Sequence, residues 1–157
     1  MKRICLTVLL VSIFLIQPVF ALETTLRDIR SEIYAESVEV KALMGDTRDP
    51  ILISSIYDSC LITITQLDAY FHMLTIFNTI ERKAMKDEAV DGLASWLGAV
   101  KEMNDLNIKS LSNTSQALSD KTNAYMEKLT KFYGKLNDKI DAELKKIDTI
   151  KKSLKLR

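Results

Sequence analysis

The sequence predicts an all-α protein: an antiparallel four-helix bundle with a long, coiled-coil-like C-terminal helix. Two observations support this prediction. Beyond residue 21 the chain of 157 residues contains four glycines and one proline, too few for the turns of a β-sandwich or a Rossmann domain. Apolar residues recur there at steps of three and four, the period of a helix that is buried on one face. Short connections favour antiparallel packing of neighbouring helices.

The first 21 residues are typical of a secretory signal peptide. Lys2 and Arg3 precede an apolar run from Ile4 to Ile16. As a helix this run would span about 20 Å, short of the roughly 30 Å of a bilayer core. We therefore expect cleavage after Ala21, with retention as a membrane anchor as the alternative. Residues 22–157 would then form a single helical bundle domain that is periplasmic or secreted.

The first helix is predicted to run from Thr25 to Gly45. Thr25, followed three residues later by Asp28, resembles a capping box, and Gly45 begins a polar turn that ends the helix. The expected inward face comprises Leu26, Ile29, Ile33, Val40 and Leu43.

The second helix is predicted to run from Pro50, a residue suited to a first helical position, to about Lys86. The segment from Leu61 to Leu67 alternates and is rich in β-branched residues, which alone would favour a strand. Helical spacing continues on both sides of this segment, so we expect helix there too. The expected inward face comprises Ile53, Ile56, Cys60, Ile64, Leu67, Phe71, Leu74 and Asn78.

The third helix is predicted to follow a break near Lys86 and Asp87. Basic residues precede this point and acidic residues follow it, as the helix dipole favours where one helix ends and another begins. A single unbroken helix is the alternative. The segment from Ser110 to Ser115 is rich in hydroxyl groups and is expected to form the next turn. The expected inward face comprises Val90, Leu93, Trp96, Leu97, Val100, Met103, Ile108 and Leu111.

The fourth helix is predicted to run from about Ser115 to Ser153. Its apolar steps alternate three and four with one extra step of four, which indicates a coiled-coil-like seam with a stutter. A helix of about 38 residues would measure about 57 Å, so its C-terminal part is expected to overhang the bundle. The seam comprises Leu118, Tyr125, Leu129, Phe132, Leu136, Ile140, Leu144, Ile147, Ile150 and Leu154.

Charge is divided unevenly along the chain. From Leu22 to Asp120 there are 9 basic and 16 acidic residues, whereas from Lys121 to Arg157 there are 11 basic and 5 acidic residues. One interpretation is that a basic fourth helix packs against acidic first and third helices. The other is that its C-terminal end docks on an acidic partner or an anionic lipid surface. The candidate partner-binding residues are Lys145, Lys146, Lys151, Lys152, Lys155 and Arg157.

Residues suited to catalysis or metal binding are few. His72 is the only histidine, and Asp68, one turn earlier, could orient its ring. Cys60 lies about 18 Å away along the same helix, too far to pair with His72 within one chain, and its place on the apolar stripe predicts a buried, inert thiol. Asp68 and His72 supply two ligands where zinc takes three or four. We predict no catalytic residues, no metal and no cofactor.

The predicted function is that of an exported, non-enzymatic interaction or scaffold module, which binds a protein or envelope partner through its basic C-terminal helix. The alternative is a sensor-type bundle that binds a small ligand in an interhelical pocket lined by Trp96, Phe71 and Tyr70. Expected partners are a protein or an anionic membrane or envelope surface, and a homodimer stays open. Nucleic acid is not expected, because no aromatic residue accompanies the basic residues after Tyr133.

Overall fold

The computed structural model describes residues 25–44, 50–80, 82–114 and 120–155. Within these ranges the chain forms four α-helices and no strand, so the all-α, four-helix prediction is confirmed. The helices are α1 (25–43), α2 (Pro50–Thr79), α3 (Lys83–Thr114) and α4 (Asp120–Lys155). The predicted signal peptide (1–21), Gly45, Leu118 and Arg157 lie outside the described residues.

The predicted boundary between α2 and α3 is wrong: α2 ends about two turns earlier than predicted and α3 begins about one turn earlier. α2 ends at Thr79, and α3 begins at Lys83. Lys86, which we placed at the end of α2, lies instead in the first turn of α3, where its amide donates to the Arg82 carbonyl at 3.0 Å. Charges near helix ends contribute only about 0.3–1 kcal/mol, too little to locate a helix end within a turn.

The predicted turn from Ser110 to Ser115 is wrong over its described part. α3 continues through Thr114, and Leu111 within it is buried in the core. Burial of this apolar side chain favours helix over the turn tendency of the neighbouring hydroxyl residues. α4 accordingly begins at Asp120 rather than near Ser115.

The segment from Leu61 to Leu67 is helical, as predicted. Its threonine hydroxyls donate to backbone carbonyls one turn earlier, Thr63 to Ser59 and Thr65 to Leu61, each at 2.9 Å. These bonds satisfy polar groups that would otherwise disfavour the interior of a helix.

Polar contacts join the helices in the cyclic order α1, α2, α3 and α4. In the α3–α4 pair, Asp91 contacts Lys151 and Lys101 contacts Asp141, so residue numbers rise along one helix as they fall along the other. This is the contact order that antiparallel neighbours produce. α2 and α4 meet inside the core, where Tyr70 bonds Glu143, and they therefore lie diagonally opposite each other.

The core contains most of the predicted inward residues. All five from α1 are buried, and in α2 Phe77 takes the place that we assigned to Asn78, which is exposed. Two predicted inward residues of α3, Trp96 and Met103, are exposed. The seam of α4 is buried or half-buried at each described position that we named.

The C-terminal end of α4 packs against the bundle instead of overhanging it. Ile147 is buried, Ile150 and Leu154 pack against the core, and Lys151 pairs with Asp91 of α3. The predicted overhang is wrong because α3 is longer than expected. At 32 and 36 residues, α3 and α4 measure about 48 and 54 Å.

Candidate functional site

The basic residues of α4 fall into two groups by position, one in the first half of the helix and one at its C-terminal end. In the first half of the helix, Lys128 Nζ lies 3.0 Å from carboxylate oxygens of both Glu36 and Glu39, and Lys135 Nζ lies 2.7 Å from Glu32. All three carboxylates belong to α1. This part of the charge asymmetry is therefore used within the bundle, as the first of our two interpretations expected.

The second group forms the C-terminal end of α4. Lys145, Lys152 and Lys155 are exposed, whereas Lys146 and Lys151 are half-buried. Lys151 pairs with Asp91, and Lys152 pairs with Asp148 one turn earlier at 2.6 Å.

We call the exposed lysines Lys145, Lys152 and Lys155 the basic end. Among the residues that the structure describes, none forms an ion pair with Lys145 or Lys155. From residue 145 to residue 155 there are five lysines and a single carboxylate, that of Asp148. Two of the three lysines of the basic end, Lys145 and Lys155, are therefore positive charges without a described counter-charge, whereas Lys152 is paired with Asp148.

The apolar side of this segment is already occupied. Ile147 is 2% exposed, and Ile150 and Leu154 pack against the core. An amphipathic helix that enters a bilayer interface needs its apolar face free. The apolar face of this segment is therefore not free to enter a bilayer interface.

Asp68 and His72 do not form the pair that we predicted. Asp68 accepts two hydrogen bonds from Arg30 of α1, from Nε and Nη2, both at 2.8 Å, and this guanidinium holds the pKa of the carboxyl below its usual value. His72 is exposed. The sequence could not show that Arg30 competes for Asp68, because the two lie 38 residues apart.

Cys60 is fully buried, as predicted. Burial raises the pKa of its thiol to about 11, and the hydroxyl of Tyr133 donates to its Sγ at 3.8 Å. The hydrogen bond from Tyr133 favours the thiolate, but burial outweighs it and keeps the sulfur in its unreactive thiol form. Within the described ranges, no group of three or more His, Cys, Asp or Glu side chains is placed to hold a metal ion.

The three aromatic residues of the predicted ligand pocket do not converge on a common space. The Trp96 indole is 36% exposed and donates to the Gln66 carbonyl at 2.9 Å. Phe71 lies under the Arg27 guanidinium of α1, 5.2 Å from it, and Tyr70 points into the core. The rings of Tyr70 and Phe71 lie 6.0 Å apart, whereas Trp96 is bonded to the α2 backbone at the surface.

Two buried polar clusters were missed in the sequence. Asn104 Nδ2 donates to Asn137 Oδ1 at 3.1 Å, and Asn137 Nδ2 donates to Asp105 at 2.8 Å, which links α3 to α4. In the second cluster, the Tyr70 hydroxyl donates to Glu143 at 3.2 Å. Asn104 and Glu143 are 0% and 1% exposed.

Burial raises the pKa of the Glu143 carboxyl to about 7. The burial of this glutamate could not be predicted from the sequence, because the inward face of a helix is inferred from the spacing of its apolar residues alone.

A further missed feature is an apolar exposed surface centred on α2. In the described part of the chain, all large hydrophobic side chains with substantial exposure belong to α1, α2 or α3, and none to α4. They are Tyr34, Val38, Ile51, Leu61, Ile62, Ile76, Met85, Trp96, Met103 and Leu106.

Several of these side chains lie on the sides of α1 and α3 that border α2. Tyr34 lies one turn after Arg30 on α1, and Arg30 contacts α2. Trp96 of α3 forms a hydrogen bond with α2 directly. α2 is also long and apolar enough to cross a bilayer, although 44% of its most apolar window is buried inside the bundle. The bundle therefore has an apolar side around α2 and a charged side along α4.

Comparison with protein families, with curated proteins and with solved structures finds no match to this chain.

Proposed function

We propose that this protein is an exported, non-enzymatic interaction module that docks on an anionic protein surface, in the periplasm or outside the cell, through the basic end of α4. The observation that supports the proposal is the difference between the two groups of lysines on one helix. Lys128 and Lys135 are neutralised by α1, whereas Lys145 and Lys155 face solvent without a described counter-charge.

The fixed position of the segment supports docking by charge. Because Ile147, Ile150 and Leu154 hold the helix against the bundle, the lysines are presented on a rigid rod. A preorganised surface loses less conformational entropy on binding than a disordered basic tail. Interactions between exposed charges are screened by salt, with a Debye length of about 10 Å at 0.1 M. Binding should therefore weaken steeply as salt rises.

A matched pair of double variants tests this proposal. Lys145→Gln/Lys155→Gln removes two charges from the basic end, and Lys109→Gln/Lys131→Gln removes two from exposed positions elsewhere. The chain from Leu22 onwards is immobilised, and capture from envelope extract is compared at about 0.05 M and about 0.5 M salt. We expect the first variant to lose most of the salt-sensitive capture and the second to keep it. Equal capture by both variants would reject the basic end as the docking site.

Vesicles distinguish an anionic protein from an anionic lipid surface. If the charge of the headgroups alone suffices, the unmodified chain should bind vesicles of anionic lipid and not vesicles of neutral lipid, which would move the partner from protein to membrane. The small-ligand alternative is tested by thermal-shift screening, since a ligand that binds the folded state raises the melting temperature with its concentration.

A further inference from the structure

The exposed side of α2 carries its own heptad pattern, separate from the stripe that faces the core. Starting at Ile51, exposed or half-buried positions recur at alternating steps of four and three through to Thr79. We call these nine positions the α2 face: Ile51, Ser55, Asp58, Ile62, Thr65, Ala69, His72, Ile76 and Thr79. A sustained step of 3.5 residues is the spacing with which one helix packs along another.

The side chains of the α2 face suit close packing against a helix. Three exposed isoleucines lie near the start, the middle and the end of the α2 face. They are Ile51, Ile62 and Ile76, which are 81%, 49% and 51% exposed. Small side chains, such as Ser55 and Ala69, lie between them. Small residues in a helical seam allow a neighbouring backbone to approach closely.

The charges of the α2 face favour a second copy of the same helix in antiparallel orientation. α2 contains no lysine or arginine, and its two carboxylates are those of Asp58 and Asp68. Asp68 is neutralised by Arg30. Asp58 precedes Thr65 by seven residues and His72 follows Thr65 by seven.

A two-fold axis near Thr65 therefore places Asp58 of each copy next to His72 of the other, twice in the same dimer. A parallel pair would instead place Asp58 beside Asp58, and like charges in that position repel.

The size of the surface is sufficient for a stable dimer. α2 has 30 residues and is about 45 Å long. With the flanking side chains of α1 and α3, the surface is about 20 Å wide, because neighbouring helices pack about 8–10 Å apart. The resulting area of about 900 Å² matches the roughly 800 Å² per partner of a standard interface.

We propose that the α2 face is the interface of a homodimer, in which the α2 helices of two copies pack antiparallel with Asp58 of each copy beside His72 of the other. The dimer does not depend on the docking role of α4, since α4 lies diagonally across the bundle from α2. Insertion into lipid is the competing use of this face. It would bury the carboxylate of Asp58 in hydrocarbon without a partner, which is strongly unfavourable.

Analytical ultracentrifugation of the chain from Leu22, which contains the whole described bundle, tests the proposal. We expect a dimer at or below about 100 μM, since interfaces of standard size have dissociation constants that range from about μM to pM. Ile62→Lys should weaken it at least tenfold, and Ala124→Lys, which adds the same charge at an exposed position of α4, should not. Circular dichroism melts establish that both variants are folded. A chain that stays monomeric throughout, or a dimer that Ile62→Lys leaves intact, overturns the proposal.

A charge exchange tests the antiparallel register. Asp58→His places two histidines together and should weaken the dimer about tenfold, since two exposed hydrogen bonds between Asp58 and His72 of about 0.5–1.5 kcal/mol each are lost. Asp58→His/His72→Asp restores both pairs and should recover most of the affinity. Failure of the double variant to recover it overturns the register. Binding of the chain to neutral lipid vesicles that Ile62→Lys abolishes would show that lipid, and not a second copy, covers the α2 face.

Discussion

Replacing Glu143 with glutamine should remove the part of the pH dependence of stability that this buried carboxyl causes. Glu143 lies on α4 within the core, 1% exposed, where the Tyr70 hydroxyl donates to it at 3.2 Å. Burial disfavours the carboxylate form and raises the pKa of this group from its ordinary 4.5 to about 7. Glutamine keeps the size and the acceptor oxygen but cannot ionise.

The sign of the effect follows from proton binding. Between pH 4.5 and 7 the folded chain holds a proton on Glu143 that the unfolded chain releases, so the free energy of unfolding falls as pH rises through this window. At about 1.4 kcal/mol per pH unit, the interval between 4.5 and about 7 corresponds to about 3 kcal/mol. The full stability from this group is present below pH 4.5, and it is lost above pH 7.

The free energy of unfolding of Glu143→Gln, measured relative to that of the unmodified protein, should therefore rise by about 3 kcal/mol between pH 4.5 and pH 8. The amide hydrogens of glutamine gain no acceptor, which costs about 1 kcal/mol at every pH. The variant should thus be about 1 kcal/mol less stable at pH 4.5 and about 2 kcal/mol more stable at pH 8. Urea denaturation, followed by circular dichroism and by the fluorescence of the single tryptophan, Trp96, measures both values. Glu102→Gln, at an exposed position, is the control, and a difference that stays constant from pH 4.5 to 8 would refute the argument.

Three further predictions concern other described contacts. Cys60, fully buried and with the pKa of its thiol raised to about 11, should react with a thiol reagent only in denaturant, and rapid labelling of the native chain would contradict its burial. Asn137→Ala leaves the buried Asn104 amide without its acceptor and should lower the free energy of unfolding by about 1–3 kcal/mol; an unchanged urea midpoint would show that this link contributes nothing. Asp68→Ala removes the half-exposed ion pair to Arg30 and should cost no more than about 1 kcal/mol, with a larger loss indicating a role beyond that pair.

The spacing of apolar residues predicted the helices and most of the core. Every predicted inward residue of α1 is buried, because a helix in a bundle must hide one stripe and the stripe is visible as steps of three and four. The same information failed for Trp96, which we placed inside. An indole is large enough to reach the edge of the interface, and its N–H finds the Gln66 carbonyl there.

Helix ends and polar pairings were beyond the reach of the sequence for a different reason. The end of α2 depends on small local differences in free energy, and Asp68 has two candidate partners, His72 nearby in the sequence and Arg30 nearby in space. Choosing between such partners requires the positions of neighbouring helices. For α4, the sequence supplied the lysines, and the structure added that α1 neutralises Lys135 and that α3 neutralises Lys151.

The contacts between α1 and α4 join the helices that are made first and last. Lys135 and Glu32 lie 103 residues apart, and Tyr125 and Glu36 lie 89 apart. During synthesis, α1 therefore cannot pack against α4 until nearly the whole chain has been translated. Such long-range contacts form slowly. The four-helix bundle therefore closes only after α4 has been synthesised.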